Sequence, residues 1–204
     1  GYEIRFVDIT DTSAVERAIA DFKPGCVLME TVSNPILRVG EIDRIAVLTR
    51  AAGAALVVDN TFSSPYLIRP LELGAHLSVH SATKYLAGHG DVLGGLIVAD
   101  AEHLDPLRAY SRIVGPVMGP FESYLTMRGI KTFPLRMQRQ CANANAVAAW
   151  LARDPRDHGG QGGRSSGHRQ RPWGVRSGIL GRSSPGAAAS AREATARRRQ
   201  PRES

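Results

Sequence analysis

The sequence predicts an α/β fold, a three-layer sandwich in which helices cover both faces of a parallel, doubly wound sheet. Three observations carry this expectation. Short apolar runs alternate along the chain with segments of helical periodicity, the pattern of strands joined by crossover helices. Two of those runs, at 55–61 and 76–84, end abruptly in polar side chains, as buried parallel strands do when they deliver functional groups at their C-terminal ends. The 204 residues are also enough for one core of ordinary size.

The elements follow in chain order. Ile4, Phe6 and their neighbours alternate like a strand over 4–7. Ser13-Ala14-Val15-Glu16 is a capping box, and Val15, Ala18, Ile19 and Phe22 continue at i, i+3, i+4 and i+7, so a helix starts there and stops at Pro24-Gly25. Cys26 to Glu30 reads as a strand that ends before Ser33-Asn34-Pro35, since proline cannot donate to a ladder. Ile42, Ile45 and Ala46 mark a helix to about residue 52, closed by Gly53. A strand at 55–58, a helical turn at 71–74, a strand at 76–80 and an apolar run at 92–99 come next. Helices are expected at 104–113, 120–127 and 134–151, the last starting at Pro134.

Composition divides the chain. Residues 1–154 carry 15 basic and 16 acidic side chains, a net charge of −1, whereas 155–204 carry 11 and 3, a net of +8, and all 11 bases are arginine. In that tail Gly, Arg, Ser, Ala and Pro make up 37 of 50 residues, too little apolar surface to offset the entropy of ordering. The expected division is therefore 1–153, a partial large domain, and 154–204, a disordered tail. A shifted reading frame explains such a composition, and an Arg/Gly tail that binds nucleic acid by charge is the alternative. No run of 18 apolar residues exists, so no membrane span is expected. Cys26 and Cys141 form no spaced framework, and the first residues lack the shape of a signal peptide, which points to a reduced, cytoplasmic compartment.

The chemistry concentrates at the two strand ends. Asp59 and Lys84 are 25 positions apart yet fall where ligands sit in open α/β sheets, outside the carboxyl ends of the strands. A lysine forms a Schiff base with an aldehyde. A carboxylate facing a pyridine nitrogen keeps it protonated and makes the ring an electron sink. Ser81 and Thr83 supply hydroxyl donors for a phosphate. Pyridoxal 5'-phosphate (PLP) meets these requirements. On spacing alone an ordinary ion pair with turn-capping hydroxyls serves equally well. His76 and His80 share one face of their strand, but two imidazoles without a third ligand do not make a metal site, and none is expected.

The runs Val58-Asp59-Asn60-Thr61-Phe62 and Ser81-Ala82-Thr83-Lys84-Tyr85-Leu86-Ala87-Gly88-His89 resemble the Cys/Met-metabolism family of PLP enzymes, which includes the cystathionine γ-synthases and γ-lyases. Glu30-Thr31-Val32-Ser33-Asn34-Pro35 and the segment from Phe121 to Thr132 fit the same family, in its order. The resemblance covers residues 1 to about 153, with one departure at His76, where the family usually carries Asp. It implies the large domain of a fold-type I, aspartate aminotransferase-like PLP enzyme, truncated here. It also implies Lys84 as catalytic and cofactor-binding lysine, Asp59 on the pyridinium, Ser81 and Thr83 on the phosphate, and Asn34 against the ring. The expected reaction is β/γ-elimination or γ-replacement on cystathionine or an O-acyl-homoserine, by a homodimer or homotetramer. The polypeptide as given is expected to turn over weakly or not at all, because the family's Gly-containing phosphate loop, its stacking aromatic and its carboxylate-binding arginine fall outside it. Glu30, Tyr85 and His89 read as structural.

Two rival readings remain at this level. Ser81-Ala82-Thr83-Lys84 also satisfies S-x-x-K, the nucleophile motif of serine β-lactamases and related acyl-transferases, but the S-D-N and K-T-G partners are missing and Asp59 is left without a task. The other is a non-catalytic relic with a basic tail.

Overall fold

The structure, a computed structural model, describes residues 3–153. The segment 154–204, with the readings of it as disordered, frame-shifted or nucleic-acid-binding, lies outside the described residues. The elements from Thr12 to Ala99 build the sheet and the layer that packs on it.

Four strands, β1 (Cys26–Glu30), β2 (Ala55–Asp59), β3 (Leu77–Ser81) and β4 (Gly95–Ala99), form one sheet in sequence order. The first three are parallel and β4 runs antiparallel to β3, so the sheet is mixed rather than wholly parallel. The turn that follows β3 explains the difference. Residues 82–94 hold one short turn at Ala82–Leu86 in place of a crossover helix, so the chain enters β4 from the same end of the sheet.

Helices α1 (Thr12–Phe22) and α2 (Ile42–Ala51) bury Val15, Ile19, Ile42, Ile45 and Ala46 against Met29, Leu56 and Val58. Ile45, Leu56 and Val58 are wholly inaccessible, each removing apolar surface worth about 1.5–3 kcal/mol. Strand register sorts the rest. Leu28, Glu30, Val57, Asp59, Leu77, Val79, Ser81 and Ile97 share the opposite face, and of these only Leu77 is buried; Leu28 is 71% exposed. The layer that would cover this face is not among the described residues.

The remaining helices are the single turn α3 (Ser64–Leu67), a 3₁₀ turn at Pro70–Leu73, α4 (Ala101–Val114) and α5 (Pro120–Leu151). Between β3 and β4 lies one wide, π-type turn at Ala82–Leu86. Leu86, Phe133 and Met137 form a second buried cluster, packed by Tyr66, Tyr85 and Leu96.

Three sequence expectations are corrected here. Residues 4–7 form no strand, and Ile4 and Phe6 are 72% and 94% exposed, because no neighbouring strand offers that segment a ladder. The cap of α1 is Asp11, whose side chain accepts from the Ala14 N–H at 2.9 Å, two residues before Ser13. Most consequentially, α5 runs unbroken through Pro134. An interior proline costs about 3 kcal/mol, and burial of Phe133 and Met137 on either side of it offsets that cost.

Candidate active site

The sheet delivers its polar residues by register. Glu30 pairs with Asp59, Asp59 with Val79, and Ser81 with Gly95, so three strands end together and place Glu30, Asp59 and Ser81 on one face. A cavity of about 460 Å³ opens there, lined by Glu30, Asn34, Asp59, Ser81, Lys84 and Tyr85 together with Val32, Thr61 and Phe62.

Each polar group has a definite support. Asp59 Oδ1 accepts from the Thr61 N–H at 2.9 Å, an Asx turn, and among the described residues no donor reaches its second oxygen. The Ser81 N–H donates to Thr61 Oγ1 at 2.8 Å, which leaves the Ser81 hydroxyl without a partner among the described residues. Lys84 departs from helical backbone geometry (φ −92°, ψ −124°) in the middle of its turn, and the exposed side chain reaches the cavity. The Asn34 N–H is held by Glu30 Oε2 at 3.0 Å.

Four of the five site residues expected from the sequence (Asn34, Asp59, Ser81 and Lys84) therefore meet in one cavity. Thr83 does not line it; its hydroxyl accepts from the Gly94 N–H at 3.0 Å and donates at 3.4 Å to the Gly94 carbonyl. Thr61 was missed, although an Asp-x-Thr sequence at a strand end is the signature of the turn it makes. Phe62 and Tyr85 give the cavity its aromatic wall, and Tyr85 also packs on the second cluster, as its reading as a structural aromatic required.

The strand histidines have structural partners. His76 Nδ1 accepts from the Leu56 N–H at 2.8 Å, so the imidazole supplies the acceptor that the backbone needs at that position. His80 is buried, its Nε2 lies 3.0 Å from Ser78 Oγ, and its Nδ1 has no partner. Burial pushes its pKa below the ordinary histidine value, opposed by the nearby Asp59 charge and the Asn60 backbone. No group of three metal-ligating side chains occurs among the described residues, and no described helix is long and apolar enough to cross a membrane.

A cavity of this size suits a small-molecule cofactor. Its donor set, an amine, a carboxylate with one oxygen unpaired, a free hydroxyl and an aromatic wall, fits PLP. Fold and site together define an α/β PLP-enzyme domain of fold type I. The chain belongs to the Cys/Met metabolism PLP-dependent enzyme family, whose model matches residues 1–158.

It is 45% identical over 157 residues to the L-methionine gamma-lyase of Pseudomonas putida, covering 76% of this chain and 39% of that protein. It is 45% identical over 155 residues to the cystathionine gamma-synthase of Escherichia coli, covering 76% and 40%. The crystal structure of cystathionine gamma synthase from Xanthomonas oryzae pv. oryzae in complex with cystathionine superposes with a TM-score of 0.70 at 42% identity, over 72% of this chain and 38% of that one. The chain thus spans about two fifths of the length of these relatives.

Proposed function

We propose that residues 1–153 are the cofactor-gripping part of a trans-sulfuration enzyme similar to cystathionine γ-synthase or γ-lyase. It would act by β/γ-elimination or γ-replacement on cystathionine or an O-acyl-homoserine. The meeting of Lys84, Asp59 and Ser81 in one cavity at the strand ends carries this reading. The family's homo-oligomeric, cytoplasmic character belongs to the same proposal, as does the separation of 154–204, which rests on composition.

Each residue then has one task. Lys84 holds the cofactor through its amine. Asp59, fixed by Thr61 through one oxygen, turns the other to the pyridine nitrogen and keeps it protonated. Ser81 donates its hydroxyl to the phosphate. Thr83 joins it, because the long 3.4 Å bond to the Gly94 carbonyl is readily exchanged for an anionic acceptor. Asn34, which lines the cavity, would lie against the ring. Bound there, PLP supplies an electron sink for a carbanion at the α-carbon of an amino acid.

The Lys84 Nζ would accept the α-proton of a bound amino acid and return it to a neighbouring carbon. Positioned proton transfer of this kind contributes typically ~10²–10⁴-fold. None of the lining residues is an arginine, so the substrate carboxylate lacks a cationic clamp within these walls. Turnover by the polypeptide as given is accordingly weak.

The test is chemical. The purified chain incubated with PLP and reduced with borohydride should carry the added mass on Lys84, not on Lys23 or Lys131, which are its two other lysines. Covalent capture of a β-lactam or fluorophosphonate at Ser81, with no lysine adduct, would establish the serine acyl-transferase reading instead. No adduct at either residue would favour the relic.

A further inference from the structure

The turn that carries Lys84 is held only in part by its own backbone. Ala87 N–H reaches back to the Ala82 carbonyl at 3.0 Å and Gly88 N–H to the Lys84 carbonyl at 2.8 Å, but the dihedral break at Lys84 interrupts the helical ladder. The Tyr85 and Leu86 carbonyls, at the end of so short a turn, have no following helical N–H to accept from. A single side chain from α5 supplies it. Arg136 Nη1 donates to the Tyr85 carbonyl at 2.9 Å, and Nη2 to the Leu86 carbonyl at 3.2 Å and the Gly129 carbonyl at 2.9 Å. Its Nε donates to Thr132 Oγ1 at 3.2 Å, so the planar fork is filled on both edges.

Two glycines make room for this contact. Gly88, at φ +75°, leaves the space the guanidinium occupies, and Gly129 lies so close to Ala87 that an added Cβ would come within 2.8 Å of its backbone carbons. The clamp joins residues 50 and 51 positions apart and acts on the carbonyls of the two residues directly after the lysine.

We propose that Arg136 is a positioning residue for Lys84: by clamping the Tyr85 and Leu86 carbonyls to α5 it sets where the amine enters the cavity. The inference rests on Lys84 being the cofactor lysine.

The full 204-residue chain provides the test, with Lys23 and Lys131 as internal standards. PLP labelling trapped by borohydride is followed by peptide mass spectrometry across a pH series, alongside far-UV circular dichroism and the thermal midpoint. Arg136→Met should slow Lys84 labelling tenfold or more and leave Lys23 and Lys131 unchanged. Arg136→Lys, which keeps a charge but cannot span three carbonyls, should recover only part of the loss.

Selective Lys84 labelling in the parent that both variants retain, whatever their thermal midpoints, overturns the positioning role and leaves the cofactor reading intact. A parent whose Lys84 reacts no faster than Lys23 and Lys131 removes both. If neither variant folds, Arg136 is a determinant of stability and the positioning role is rejected.

Discussion

Thr61 and Ser81 tie together the two strand ends on which the site is built. The Ser81 N–H donates to Thr61 Oγ1 at 2.8 Å, and the Thr61 N–H in turn holds Asp59 Oδ1 at 2.9 Å. One threonine thus couples the carboxylate on β2 to the strand that leads into Lys84. Replacing its side chain cuts the tie to Ser81 and spares the backbone N–H that holds Asp59. Thr61→Val keeps the shape but removes the acceptor of a partly buried N–H, a change that costs about 1–3 kcal/mol. Denaturant unfolding should show that loss as a lower midpoint with an unchanged slope, and PLP retention should fall with it.

Asp59 itself is testable through the cofactor. A charge-assisted hydrogen bond contributes about 1.5–3 kcal/mol, so Asp59→Asn should weaken PLP retention by roughly 10- to 100-fold while the fold persists. Equilibrium dialysis against PLP measures it. Retention equal to the parent's would remove Asp59 from the site.

At Gly129 two effects oppose each other. Alanine favours a helix interior over glycine by about 1 kcal/mol, yet a Cβ at Gly129 would press on the Ala87 backbone, with its carbonyl carbon and Cα at 2.8 Å. Backbone cannot swing aside as a side chain does, so the clash dominates. Gly129→Ala should destabilise by about 1–3 kcal/mol, read as a lower thermal midpoint.

The pH dependence near neutrality should follow His80. Its folded-state pKa is depressed, chiefly by burial. Above the unfolded value both states are neutral and the group contributes nothing. As pH falls through that value, only the unfolded chain takes up the proton, so stability declines toward acid, by no more than about 1.4 kcal/mol per pH unit. Asp100 acts in a lower window. Its hydrogen bonds from His103 lower its pKa, so its contribution is present above the unfolded carboxylate value and is lost as pH falls through the folded one. Urea unfolding of the parent and His80→Gln over a pH series that runs from about 2 to 8 separates the two: the variant should lose the neutral-range slope and keep the acid one.

Much of this was legible in local pattern. Cys26–Glu30 was read to the residue, and the strands at 55–59 and 77–81 to within one, because short apolar runs with abrupt polar ends are unambiguous when a sheet buries them. Asp59, Ser81 and Lys84 could be brought together on paper, since parallel strands necessarily align their carboxyl ends. Other features have no local signature. The alternation at 4–7 looks like a strand but finds no neighbour, and Pro134 looks like a helix start but lies inside one continuous helix, between buried Phe133 and Met137. The hydrogen bonds that Thr83 makes with the Gly94 backbone, 11 positions on, likewise leave no trace in the local pattern.

The order of the secondary elements, the family and the chemical types at the strand ends were therefore determined by the amino-acid sequence alone, through interactions that span a few residues. The direction of β4, the continuity of α5 and the reach of Arg136 to carbonyls 50 positions away were decided only by tertiary structure. In each case the energy that decides comes from burial and hydrogen bonds between segments that no local window contains.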